Sequence, residues 1–184
     1  LLEELTRDLF NRYPNAEIRV PVASTLAVDS VRSCLRDSRL QLVEGDSRAT
    51  LSWADVAAVA SGTATLETAI IGTPFCLFYK MSGFSTWVIQ NIIRYKRFFG
   101  MPNLLHQREV VREFLHAEAT APHVFREICQ LIDDKDYREK VTRDVASSRL
   151  LLGNPGASQR AAQHVLETLR TSVGVEAIHV HCPA

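Results

Sequence analysis

The segment Asp55-Val56-Ala57-Ala58-Val59-Ala60 constrains the fold of this 184-residue chain more than any other. After its first residue it offers no polar position, so neither face of the strand it predicts can look at water. A strand of small and β-branched residues buried on both sides needs helices above and below it. That arrangement belongs to parallel strands joined by helical crossovers. The flanking sequence supplies both. Residues 1–13 place Leu2, Leu5, Leu9 and Phe10 on one helical face, Tyr13-Pro14-Asn15 breaks the pattern, and 17–22 predicts a strand. A helix over 26–36, a strand over 40–43 and a short helix over 47–53 follow. Beyond the apolar strand, 63–71 predicts a helix stopped by Gly72-Thr73-Pro74, and 75–79 a fourth strand. The fold class is therefore α/β, a parallel sheet with helices on both faces. Further on the pattern is helical, over 84–97, 108–117, 121–133, 135–151 and 156–171. The last puts Ala161, Ala162, Val165, Leu166 and Leu169 on one side, as a helix closing the domain would.

Composition removes several functional classes. Lysine plus arginine equals aspartate plus glutamate, 21 each, so there is no global basic field to hold a nucleic-acid backbone. Cys34, Cys76, Cys129 and Cys182 form no CxxC pair, which suits reduced thiols in a cytoplasmic protein. No stretch approaches the ~20 apolar residues of a membrane-spanning helix. The chain opens on Leu1-Leu2-Glu3-Glu4-Leu5, already inside a helical pattern, and reads as a piece of a longer protein.

In an open parallel sheet, ligands collect beyond the carboxyl ends of the strands, where helix N-termini present free amides. The turn after the apolar strand, Ser61-Gly62-Thr63-Ala64-Thr65-Leu66-Glu67, fits that role. Gly62 permits a tight turn and a close approach, and the amides of Thr63, Ala64 and Thr65 fall in the first helical turn, where a diphosphate would be held. The plainer reading is that Ser61 or Thr63 caps the helix. That reading leaves Glu67 unexplained, because a capping box requires its acid three residues after the cap and Glu67 lies four from Thr63 and six from Ser61. A carboxylate one turn into such a helix can accept hydrogen bonds from two sugar hydroxyls.

The run ASGTATLETAIIGTP from Ala60 to Pro74, Tyr79-Lys80, MPNLL at Met101 to Leu105, REVV at Arg108 to Val111, and Gly156-Ala157-Ser158 with Arg160-Ala161-Ala162 together resemble the C-terminal half of bacterial lipid-A-disaccharide synthase over about residues 1–171. The SGTATLE turn alone is moderately specific; its combination with MPNLL and REVV is sharper. The resemblance implies a Rossmann-like UDP-sugar-binding domain over 1–171 with a tail over 172–184, the C-terminal half of a two-domain GT-B type glycosyltransferase. Its first strand would lie upstream of Leu1. It implies inverting transfer of a diacylated glucosamine from UDP to a lipid-anchored diacylglucosamine phosphate, without metal or cofactor. Glu67 would hold the ribose and Ser61, Gly62, Thr63, Ala64 and Thr65 the diphosphate, while Asn103, Arg108 and Glu109 would belong to a second active-site loop. The general base would come from the other half. His106-Gln107, where small residues are common, and Arg112, where proline is usual, depart from the family pattern. Other UDP-sugar transferases, UDP-sugar 2-epimerases and a non-catalytic sugar-nucleotide-binding domain remain alternatives.

Three further features stand apart from these motifs. Residues 84–99 combine Trp87, Phe98 and Phe99 with Arg94, Lys96 and Arg97, which suits either contact with a membrane surface at the inner face of the inner membrane or ordinary packing of Phe84, Val88 and Ile92. His179-Val180-His181-Cys182 carries ligand-type residues without a fourth partner for zinc. Asp133-Asp134-Lys135-Asp136 reads as a solvated turn. A homo-oligomer is compatible with the resemblance.

Overall fold

The computed structural model describes residues 1–80 and 98–173. They divide into two units, Leu1–Leu151 and Leu152–Ala184. In the first, α1 (Leu2–Arg12), β1 (Arg19–Val22), α2 (Val28–Cys34), β2 (Gln41–Glu44), α3 (Ser47–Trp53), β3 (Ala57–Ala60), α4 (Thr63–Ile71) and β4 (Phe75–Tyr79) follow in strict alternation. α5 (Met101–His106), β5 (Glu113–Leu115), a 3-10 turn (His116–Glu118), α6 (Ala121–Asp133) and α7 (Lys135–Leu151) complete it. Among the described residues every strand pairing is parallel: β1 with β2, and β3-β4-β5 as a second sheet with β4 at its centre.

The two-sided burial expected from the apolar strands is visible residue by residue in β4. Phe75 and Leu77 point into one cluster with Ala69 of α4 and Val141 and Val145 of α7. Cys76, between them, points the other way, to Leu5 of α1 and to Ala121, Val124 and Ile128 of α6. Side chains alternate across a strand, so one strand with both sets fully buried must lie between two helical layers. A third cluster, Phe10, Leu35 and Leu40, roots β1 and β2 on α1 and α2.

The helices bury the faces their spacing dictates. In α6 Val124, Glu127, Ile128 and Leu131 are buried, at intervals of three and four. α7 buries Val141, Val145 and Ser148, and the Asp134 carboxylate accepts from the Tyr137 amide at 3.0 Å to start that helix. Truncating a fully buried side chain such as Leu131 would cost about 2–5 kcal/mol.

One expected element is replaced. Residues 108–117, read as a helix, form instead an irregular loop, the strand β5 and the beginning of the 3-10 turn. Val110, Val111 and Phe114 have helix-compatible spacing, but the amides of Val110 and Val111 are taken by the Asn103 side chain, at 2.7 and 3.0 Å. Glu113 then pairs in register with Leu77. The expected helix over 84–97 lies outside the described residues. In the second unit, α8 (Ala157–Val173) matches the helix expected over 156–171, and Arg160 closes its start by donating to the carbonyls of Pro155 and Asn154.

Candidate functional site

The turn from β3 to α4 is built by one glycine. Gly62 has φ 152° and ψ −161°, a region that residues with a Cβ essentially do not enter, yet a Cβ placed there would meet nothing within 4 Å. The glycine is therefore required by the backbone and leaves the space beside it open. Gly62 itself occupies the N-cap, and no side chain caps the helix. The plainer reading, with Ser61 or Thr63 as cap, does not hold. Ser61 instead extends the β3–β4 ladder through its amide, which donates to the Phe78 carbonyl at 3.0 Å.

The first turn of α4 differs from expectation at one residue. Thr65 is buried; its amide donates to the Gly62 carbonyl at 3.2 Å and its hydroxyl to the same oxygen at 2.7 Å. Thr65 thus fixes the turn from inside, and Thr63 and Ala64 precede it in the first helical turn, where amides have no partner within the helix. Glu67 stands one turn further along. Its carboxylate is 38% exposed and takes Nη2 of Arg48, from α3, at 3.4 Å. An exposed pair of that length contributes at most about 1 kcal/mol, so it does not lock Glu67 in place.

Asn103 is fully buried and all its polar atoms are engaged. Its Nδ2 donates to the Val111 carbonyl and to Glu113 Oε1, both at 2.8 Å, and its Oδ1 accepts from Val110 and Val111. Glu113 also accepts from the amides of Phe99 and Gly100, at 2.9 and 2.8 Å. The MPNLL and REVV blocks are therefore two sides of one clasp. The structure puts Asn103 inside the fold, where it shapes the loop and offers no free polar atom.

Arg108 and Glu109 lie away from the β3–α4 turn. Val110 and Val111 lead into β5, and Leu77, opposite Glu113, donates to the Arg112 carbonyl at 2.9 Å. Because β5 runs parallel to β4 and β3, the residues ahead of it sit at the amino end of the sheet, whereas Ser61–Glu67 sit at the carboxyl end. Arg108 makes a two-pronged pair with Asp144 of α7, at 3.0 and 2.7 Å, which holds that carboxyl below its ordinary range. Burial, then the nearby Arg108 charge, lowers the pKa of His106, whose Nε2 is 3.1 Å from the Ser148 hydroxyl. Glu109 pairs with Arg112 at 3.2 Å and lines a cavity of about 490 Å³ between β5, α6 and α7. Asn103, Arg108 and Glu109, expected in a second active-site loop, lie together around the approach to β5, at the other end of the sheet from the β3–α4 turn.

The departures from the family pattern have local explanations. Gln107 ends α5 at φ 53°, a left-handed position that favours glycine. Arg112 reaches Glu109 where a proline would have no side chain to do so. Two residues with a place at these sites were not singled out from sequence, Arg48 and Glu113. A signal existed for Arg48, since Asp46-Ser47-Arg48 is also a strand-to-helix turn at the carboxyl end. His179, His181 and Cys182 lie outside the described residues, and Cys34, Cys76 and Cys129 are free thiols.

Parallel sheets flanked by helices, with an uncapped helix N-terminus and a carboxylate beyond the carboxyl end of β3, define a Rossmann-like α/β domain. Residues 2–168 match the family model for lipid-A-disaccharide synthetase. Lipid-A-disaccharide synthase of Koribacter versatilis is 38% identical over 161 residues, 83% of this chain and 42% of that protein. Those of Solibacter usitatus and Geobacter sulfurreducens are 31% and 32% identical over 90% and 92% of this chain, each across 44% of the relative. The chain belongs to the lipid-A-disaccharide synthetase family. It spans less than half the length of the relatives it matches.

Proposed function

We propose that this chain is the donor-binding half of a lipid-A-disaccharide synthase. In that reading the amides of Thr63 and Ala64, with Ser61 and Gly62, receive the diphosphate of a UDP-sugar, and Glu67 receives its ribose. Thr65 fixes the turn from inside, and Asn103, Arg108 and Glu109 belong to the approach to β5. The observation that carries the reading is the α4 N-terminus, which has no side-chain cap and has Glu67 one turn in, within a chain whose relatives bear that name. The reaction joins a hydroxyl oxygen of 2,3-diacylglucosamine 1-phosphate to the anomeric carbon of the donor's 2,3-diacylglucosamine as the bond to UDP breaks. The hydroxyl proton passes to a base contributed from outside this chain.

The domain would extend over 1–171. No helix among the described residues is long and apolar enough to cross a membrane. Contact with the membrane surface through residues 84–99 rests on their aromatic and basic composition. Incubating the intact protein with UDP-diacylglucosamine and the lipid-anchored acceptor should release UDP and form the disaccharide, and the protein should pellet with anionic liposomes. An epimerised UDP-sugar without UDP release would replace the transferase reading. Protein left entirely in the supernatant would remove the membrane contact.

A further inference from the structure

The ion pair between Arg48 and Glu67 joins two strand-to-helix turns at the carboxyl end of the molecule, and it is the wrong kind of contact for a structural tie. Arg48 is 77% exposed and reaches Glu67 at 3.4 Å, at the long end for a charge-assisted hydrogen bond. Its own helix does not need it, because Asp46 caps α3 by accepting from the Ala49 amide at 2.9 Å. The neighbouring α4 has no such cap. Thr63 and Glu67 are four residues apart on one helical face, about 6 Å along the axis. A guanidinium beside Glu67 therefore stands within a side chain's swing of the amides of Thr63 and Ala64.

Charge balance gives that position a use. The end of one helix offers about half a positive charge, far less than a diphosphate carries. An arginine fork suits phosphate oxygens as well as a carboxylate. Building on the donor-site reading above, we propose that Arg48 supplies the cation for the diphosphate, giving up its contact with Glu67, whose carboxylate then serves the two ribose hydroxyls. Arg48 is thereby a nucleotide-binding residue that discriminates UDP from uridine, and Glu67 one that does not.

The test is calorimetric titration of UDP and of uridine into the intact protein and its Arg48→Ala, Arg48→Lys and Glu67→Ala variants, with melting temperatures recorded. Arg48→Ala should weaken UDP about tenfold and leave uridine within about twofold, with Arg48→Lys between it and wild type. Glu67→Ala should weaken both ligands by a similar factor. Equal loss of UDP and uridine in Arg48→Ala would mean that Arg48 merely orients Glu67, and no loss of either would make the pair incidental; both overturn the proposal while leaving the donor site standing. A wild-type protein that binds neither ligand would overturn the donor site itself.

Discussion

Gly62 and Glu67 illustrate how differently two residues of one turn can matter. At Gly62 the demand is on the backbone: its conformation belongs to glycine, and forcing another residue into it costs about 1–3 kcal/mol. Because a Cβ there would touch nothing, the strain can relax only by rotating the turn, which re-aims the Thr63 and Ala64 amides. Gly62→Ala should therefore lower UDP affinity about tenfold or more while the melting temperature falls only modestly. Unchanged affinity, measured by calorimetry beside a thermal melt, would show that the amides take no part. At Glu67 the proposed role rests on charge, and the long, exposed pair with Arg48 holds its carboxylate only weakly.

At the scale of elements, the clasp between α5 and the approach to β5 is the part that sequence reasoning missed. Asn103, Val110 and Val111 were legible as parts of family motifs and Glu113 was not, and the bonds among them span seven to ten residues, which no periodicity encodes. For the same reason β5 was hidden: it is three residues long, and Val110, Val111 and Phe114 suit a helix equally well. β3 and β4, by contrast, could be read directly, because a run with no polar residue has only one environment to occupy. The clasp predicts a stability phenotype. Asn103→Ala leaves two buried amides, a carbonyl and a carboxylate oxygen short of a partner, at about 1–3 kcal/mol per group, so the loss should be at least about 3 kcal/mol in chemical denaturation. A residue acting on the ligand instead would leave stability within about 1 kcal/mol of wild type and lower UDP affinity.

For the whole molecule, the sheet sorts its residues by end. The β3–α4 turn and Arg48 gather at the carboxyl end, and the Arg108–Asp144 pair stabilises the amino end. Sequence placed the β3–α4 turn at the carboxyl end because strand direction and a glycine turn are local facts, but it passed over Arg48; it could not separate the Arg108 end, because that depends on how β5 pairs with β4. In the proposed donor site the carboxyl-end turn holds a nucleotide and Glu67 binds it without doing chemistry. UDP titrated calorimetrically into the intact wild-type protein, Glu67→Gln and Glu67→Ala tests it most directly. Losing charge-assisted hydrogen bonds worth about 1.5–3 kcal/mol should weaken UDP about 10- to 150-fold in Glu67→Ala, with Glu67→Gln between and all three melting alike. Equal UDP affinity in the three proteins, with native-like melting, would contradict the account and leave the turn a structural corner of the sheet.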